Sequence, residues 1–329
     1  MLKKLGESIL IWSTSINPWT NVYGLARTII ALSTAITLAV NPSWIFFRPA
    51  AGIDASRTCT TPINYFCTVP FNYTYLEILR WLAVVILIVV ASGWRPRYTG
   101  ILHWWIVFSL QTSAKTLDGG EQVATILTLM LIPITLTDSR KWHWQREKKF
   151  QITNMSVINR TIALVCFVAI RIQVAIIYLN ASMAKTSVSD WMNGTAVYYY
   201  MKTNMLGLPP LLSKIFEPFL TSIWVLIPTW GTIIAELLLF AGFFIKKKHR
   251  KWFLILGISL HTIFAVMLGL YSFSLIMIGA LILYLRPVEK EFKFIKIPLF
   301  RGLFTNFHTL KSEKIKEKKV HNTTLFERR

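Results

Sequence analysis

The sequence predicts an all-α fold, a polytopic transmembrane helical bundle of about eight spans with both termini cytoplasmic. Three observations predict it. Hydrophobic residues make up 54% of the 329 residues and charged residues only 16%, where soluble domains carry about a quarter charged. The apolar residues are gathered into runs of the length that a bilayer requires. Lys and Arg are then divided very unevenly between the loops that join those runs. The 13 Trp and 11 Tyr also suit a chain with two lipid–water interfaces.

Eight apolar segments are legible, at roughly 22–41, 75–92, 100–116, 120–137, 157–181, 222–245, 252–269 and 273–286. The last two are separated by a very tight turn, and the final one is short. Ahead of them, residues 1–21 read as an interfacial segment, a helix lying on the inner surface with Pro18 near the entry to the first span. Its apolar stretch, Ile9–Trp12, is too short for the core of a cleavable signal peptide. Residues 22–287 form the membrane domain and 288–329 a basic cytoplasmic tail. The first part of that tail, with Phe292, Phe294, Leu299, Phe300, Leu303 and Phe304 among lysines, suits an anionic inner leaflet. Its last twenty residues read as solvated and disordered.

Orientation follows from the basic residues. An even number of crossings gathers the N-terminus, the 93–99, 138–156 and 246–251 loops and the tail on one side, with 26 Lys and Arg against 6 on the other. The basic side is expected to be cytoplasmic. The net charge of +21 lies beside apolar spans and not on a compact basic face, so the lipid bilayer is the expected partner and nucleic acid is not. Cys59 and Cys67 share the outer 42–74 loop, where an oxidising compartment favours a disulfide between them; two unrelated thiols is the alternative. Cys166, inside the fifth span, reads as packing.

Ionisable residues inside a membrane cost roughly 2.5–3.5 kcal/mol each at a helix centre, so each needs a reason. Arg171, Glu236 and His261 fall near the middle of the fifth, sixth and seventh spans, a level at which Arg171 and Glu236 can pair. A functional cluster and a structural ion pair with a core histidine are both open readings. On the fifth span Arg160, Arg171, Tyr178, Ser182 and Lys185 share one helical face, with Gln173 and Asn180 as a second polar stripe. Such a helix is expected to face the protein interior or a wet cavity. Towards the outer side, Glu77, Arg80, Lys115, Asp118, Glu121 and Lys185 suggest a polar vestibule, or an ordinary hydrated rim. Motifs of soluble enzymes are missing, and the six scattered histidines point to no metal centre. Catalysis, if any, would rest on groups such as a desolvated lysine acting as a base.

Two stretches carry a resemblance. Asn17-Pro18-Trp19-Thr20-Asn21-Val22-Tyr23-Gly24-Leu25-Ala26-Arg27, followed by Phe47-Arg48-Pro49 and Gly52, resembles the opening of SdpB-family proteins, bacterial membrane proteins encoded with sporulation-delaying toxin systems. Ile177-Tyr178-Leu179-Asn180 through Ala184-Lys185, then Asp190-Trp191-Met192-Asn193-Gly194-Thr195-Ala196-Val197-Tyr198-Tyr199, is similar to the HTTM signature shared with vitamin K-dependent gamma-carboxylase. The likeness covers about residues 15–286. It implies a bacterial cytoplasmic-membrane protein that matures a secreted killing peptide from its precursor, together with a small SdpA-like partner from the same operon.

In the carboxylase branch, a lysine just before a matching Asp-Trp-x-x-Gly is the base that deprotonates the vitamin, which gives Lys185 a candidate role. The carboxylase has adjacent lysines where this chain has Ala184-Lys185, and its large C-terminal domain has no counterpart here. A quinone-like cofactor is implied by that branch alone, and the cofactor stays unknown. The candidate catalytic residues are therefore Lys185, Arg171, Glu236 and His261, with Tyr178, Asp190, Trp191, Arg80 and Glu121 as candidate substrate-binding residues. A transporter of the peptide or a small molecule, and a toxin-binding immunity protein, are the competing functions; Trp191 as an interfacial anchor and Lys185 snorkelling to the interface are the competing roles.

Overall fold

The computed structural model of the chain describes residues 2–49, 57–59, 61–146, 152–203 and 206–293. Gly52 and the tail from Phe294 onward, with its expected membrane-surface and disordered parts, lie outside the described residues. Helices occupy all eight expected positions: α2 (Asn21–Val40), α4 (Tyr73–Ser92), α5 (Pro96–Ser113), α6 (Gly119–Leu136), α7 (Asn154–Thr186), α11 (Leu226–Ala241), α12 (Arg250–Leu268) and α13 (Tyr271–Leu285). Five shorter α-helices complete the set among the described residues: α1 (Leu2–Ser15), α3 (Ser43–Phe46), α8 (Ser189–Met192), α9 (Ala196–Lys202) and α10 (Pro210–Leu220). Among the described residues six helical segments are long and apolar enough to cross a membrane: α2, α4, α6, α7, α12, and Ile223–Ala241, which comprises α11 and the 3-10 turn before it. The chain is a multi-pass helical membrane protein.

Local chemistry starts these helices. Thr20, Asn72 and Asp118 each cap an N-terminus by accepting a backbone N–H with the side chain, which satisfies donors that hydrocarbon cannot. Thr153 and Ser156 form a reciprocal capping box at the start of α7. At 33 residues α7 is roughly 50 Å long, so its ends reach both interfaces of a ~30 Å hydrocarbon core. Ile158, Ile162, Val165, Ile172 and Ile176 are exposed along one stripe of it, at the three-and-four spacing of a lipid-facing surface. Arg160, Phe167, Val174, Tyr178 and Ser182 are buried on the other side. The Gln173–Asn180 stripe departs from expectation: Gln173 is half-buried and Asn180 exposed, because the stripe lies at the edge of the interior face.

The shortness of α13 has a physical reason. Its 15 residues span only about 22 Å, less than the hydrocarbon core, yet ten of them are buried because α2, α6, α7 and α12 surround it. Glycines let these neighbours approach. A Cβ on Gly279 would sit 2.7 Å from Ile30, and one on Gly257 would sit 2.7 Å from Leu281, the small-residue contact by which membrane helices pack without a hydrophobic driving force. Around α13 the helices define two ends. The basic loops mark one; α3, the Cys59–Cys67 disulfide and α8–α10 mark the other.

At the basic end, the 138–146 loop folds into the bundle. The Asp138 carboxylate accepts from the Tyr23 hydroxyl and from Arg140 Nε and a terminal nitrogen, at 2.9 and 2.8 Å. Arg27, fully buried, donates to Thr99 Oγ1 at 2.7 Å and faces His143 Nδ1 at 3.5 Å. Thr28 gives its hydroxyl proton to Ala91 O at 2.7 Å and lies 3.3 Å from His143 Nε2. The network is consistent if Nε2 carries the imidazole proton. Burial first, then the Arg27 and Arg140 charges, push His143 down to about 2, so it stays neutral. Gly93, at φ +86° and with His143 Cδ2 only 2.3 Å from where a Cβ would be, is the left-handed helix end that admits the ring.

Candidate functional site

Lys185 lies in the last turn of α7, where a cation favours the helix dipole. Its ammonium donates to Glu236 Oε1 at 2.8 Å, Glu236 Oε2 at 2.9 Å and Ala181 O at 3.3 Å, and stands 5.2 Å from the centroid of the Trp191 ring. The pair is largely buried, with side chains 20% and 7% exposed. Every donor of a lysine ammonium is thereby used. The chemical unit is the pair and not Lys185 alone: a lysine that acts as a base here must first give its proton away, and Glu236 is the acceptor in contact.

Trp191 is placed by the turn that follows α7. Gly194 N donates to Trp191 O at 3.2 Å and Thr195 N to Asp190 O at 2.9 Å, which turns the indole back against Ala196 and Ile233. Gly194 closes that turn at φ +80°, and a Cβ there would fall 1.9 Å from Leu226 Cδ2. The Asp-Trp-x-x-Gly spacing is therefore a folding requirement of the segment that presents the tryptophan. Gly194→Ala is expected to destabilise the protein by about 2–4 kcal/mol, from left-handed strain and overpacking. Gly231→Ala, where a Cβ meets nothing within 4 Å, should leave the unfolding midpoint in detergent near that of the parent.

Lys185, Glu236 and Trp191 line a cavity of about 510 Å³ whose remaining wall is mostly apolar, from α9, α11, α12 and α13. That size suits a small molecule or the side chains of a peptide segment. Tyr178 and His261 lie near it but do not line it. The Tyr178 hydroxyl and His261 Nε2 are 3.0 Å apart, both residues are buried, and the imidazole packs against Phe264 and Phe273. His261 Nδ1 has no partner among the described residues.

Other candidates fall elsewhere. Arg171 does not pair with Glu236: it donates to Tyr284 O at 3.1 Å and lies over the Phe243 ring. The reason is register, since Arg171 is 14 residues before Lys185, roughly 21 Å along the helix. Asp190 is exposed, and its backbone carbonyl closes the turn. Arg80 is buried against α2, bridging Glu77 at 2.7 Å and capping the Leu38 and Ala39 carbonyls. Glu121 accepts from Thr34 at 3.0 Å, and its Oε1 has no partner among the described residues. It faces a separate cavity of about 150 Å³ with Asp118, Asn41 and Ser272. The single outer vestibule is corrected to distinct sites, because α4 and the start of α6 pack on α2 and α13 while Lys185 packs on α11. Among the described residues no group of three or more His, Cys, Asp or Glu is placed to hold a metal ion.

The chain is a multi-pass membrane protein with a buried lysine–glutamate pair on an apolar cavity, and relatives share nearly its whole length. It is 37% identical to the sporulation-delaying protein SdpB of Bacillus subtilis (strain 168) over 318 residues, covering 95% of this chain and 97% of that protein. It is 45% identical to YitO of the same organism over 294 residues, covering 89% of this chain and 94% of YitO. The chain belongs to the SdpB family. No protein-family model and no solved structure matches it.

Proposed function

We propose that this protein works in a sporulation-delaying type of toxin system in the bacterial cytoplasmic membrane, maturing the precursor of a secreted antimicrobial peptide. Membership of the SdpB family supports the system. The Lys185–Glu236 pair beside Trp191, at the end of the bundle away from the basic loops, is the observation that carries the site. With the basic loops inside, that end meets a precursor arriving across the membrane. The HTTM-like stretch, Ile177 through Tyr199, adds the resemblance to a module in which a lysine serves as base. Here the proton would pass from Lys185 to Glu236, leaving the neutral amine, the form in which a lysine can accept a proton as a general base. A small SdpA-like protein of the same operon is the expected partner.

The test is the intact mass of the secreted peptide from cells carrying the parent protein or Lys185→Ala at matched membrane levels. Maturation predicts that the variant releases only longer or unaltered precursor. A transporter would instead trap peptide inside the cell. An immunity protein would leave peptide mass and amount unchanged and expose the producer to its own toxin.

A further inference from the structure

Arg171, displaced from the Lys185 cavity, lines another of about 150 Å³ at the basic end of the bundle. Its charged lining is Arg171, Lys247, Arg250 and Arg286 against one carboxylate, Glu289. That carboxylate is already engaged by Lys247, at 2.7 Å. Burial opposes the ionisation of Glu289, but the hydrogen bond and charge of Lys247, with Lys290 nearby, hold it below the usual carboxylate range. Arg171 and Arg250 each spend only Nε on a backbone carbonyl, those of Tyr284 and Ile245, both at 3.1 Å. Among the described residues no acceptor meets the terminal nitrogens of either guanidinium, and no carboxylate lies within 4 Å of either. Helix α12 begins at Arg250 without a side-chain cap, so its positive end adds to the same field. The other walls are apolar, including Trp12, Leu164 and Leu283.

Cations crowded round a cavity repel one another unless an anion joins them. Guanidinium groups with both terminal nitrogens available match phosphate oxygens in pairs, and basic pockets between helices at the inner face of a membrane take lipid head groups. The apolar walls and the position at a helix-bundle rim favour a lipid over a free ion. We propose that this cavity binds the phosphate of an anionic phospholipid in the leaflet on the basic side, with Arg171 and Arg250 as its ligands. The site is independent of the Lys185 cavity and of the maturation reading.

The experiment is native mass spectrometry of the full chain, purified in neutral detergent and titrated with phosphatidylglycerol or phosphatidylcholine. Phosphatidylglycerol should stay bound in preference. At about fivefold in affinity per arginine, Arg171→Gln/Arg250→Gln should weaken that binding by about twenty-fivefold. Glu289→Gln, which removes the opposing charge and both arginines keep, should strengthen it by about fivefold and serves if the double variant does not fold. Equal retention of the two lipids, or unchanged retention in the variants, overturns the proposal. Displacement of phosphatidylglycerol by an equal concentration of inorganic phosphate overturns the lipid as ligand and makes the site one for the free ion.

Discussion

Lys185→Met is expected to destabilise the bundle by about 3–5 kcal/mol, because it leaves the Glu236 carboxylate buried without its partner. Glu236 is 5% exposed, and the only cation that hydrogen-bonds it among the described residues is Lys185. The companion variant separates stability from function. In Lys185→Met/Glu236→Leu both charges are gone and the apolar volume is roughly kept, a replacement that is commonly neutral or stabilising. Unfolding midpoints in detergent should therefore fall for the single variant and return to about the parent value for the double. If both variants melt like the parent, the pair is not buried as described.

Asp138→Ala is expected to have an effect of similar size, about 3–5 kcal/mol, at the other end of the molecule. The carboxylate is 1% exposed and holds Arg140, which is 8% exposed, and the fully buried Tyr23 hydroxyl. Its loss strands Arg140 and removes the negative charge nearest to buried Arg27. Asp138→Asn should cost less, since one oxygen still accepts. The check is the unfolding midpoint together with peptide output per folded molecule. Output per folded molecule should stay at the parent level, because the network lies at the basic end and the Lys185 cavity at the opposite one.

The spans were legible because composition and periodicity are local properties. The apolar run 120–137 becomes α6 (Gly119–Leu136), and the tight turn before the last span becomes Gly269-Leu270 between α12 and α13. Where the chain leaves hydrocarbon, local pattern carries less. The expected 157–181 segment extends to Thr186, because Ser182 is buried and Lys185 finds Glu236, which only tertiary contact reveals. The expected 222–245 segment starts instead with a 3-10 turn, Ile223–Val225, and ends at Ala241. Lys185 and Glu236 were each visible as ionisable residues in apolar surroundings, but their pairing was not. Depth along two antiparallel helices sets the register, and a shift of a few turns exchanges Arg171 for Lys185. The Tyr23–Asp138–Arg140–His143 network was missed because it joins a loop to the first turns of α2. A carboxylate directly after a span in an otherwise basic loop, with Tyr23 and Arg27 in the family-like opening, was the available signal.

In the proposed function the Lys185–Glu236 pair works on the peptide and does not merely hold α7 to α11. The most direct measurement is the mass and amount of secreted peptide from cells carrying Lys185→Met/Glu236→Leu, after its unfolding midpoint is shown to match the parent. The expected result is a stable protein at normal membrane level and no mature peptide. Mature peptide of parental mass and amount from that variant would contradict it and leave the pair a structural tie.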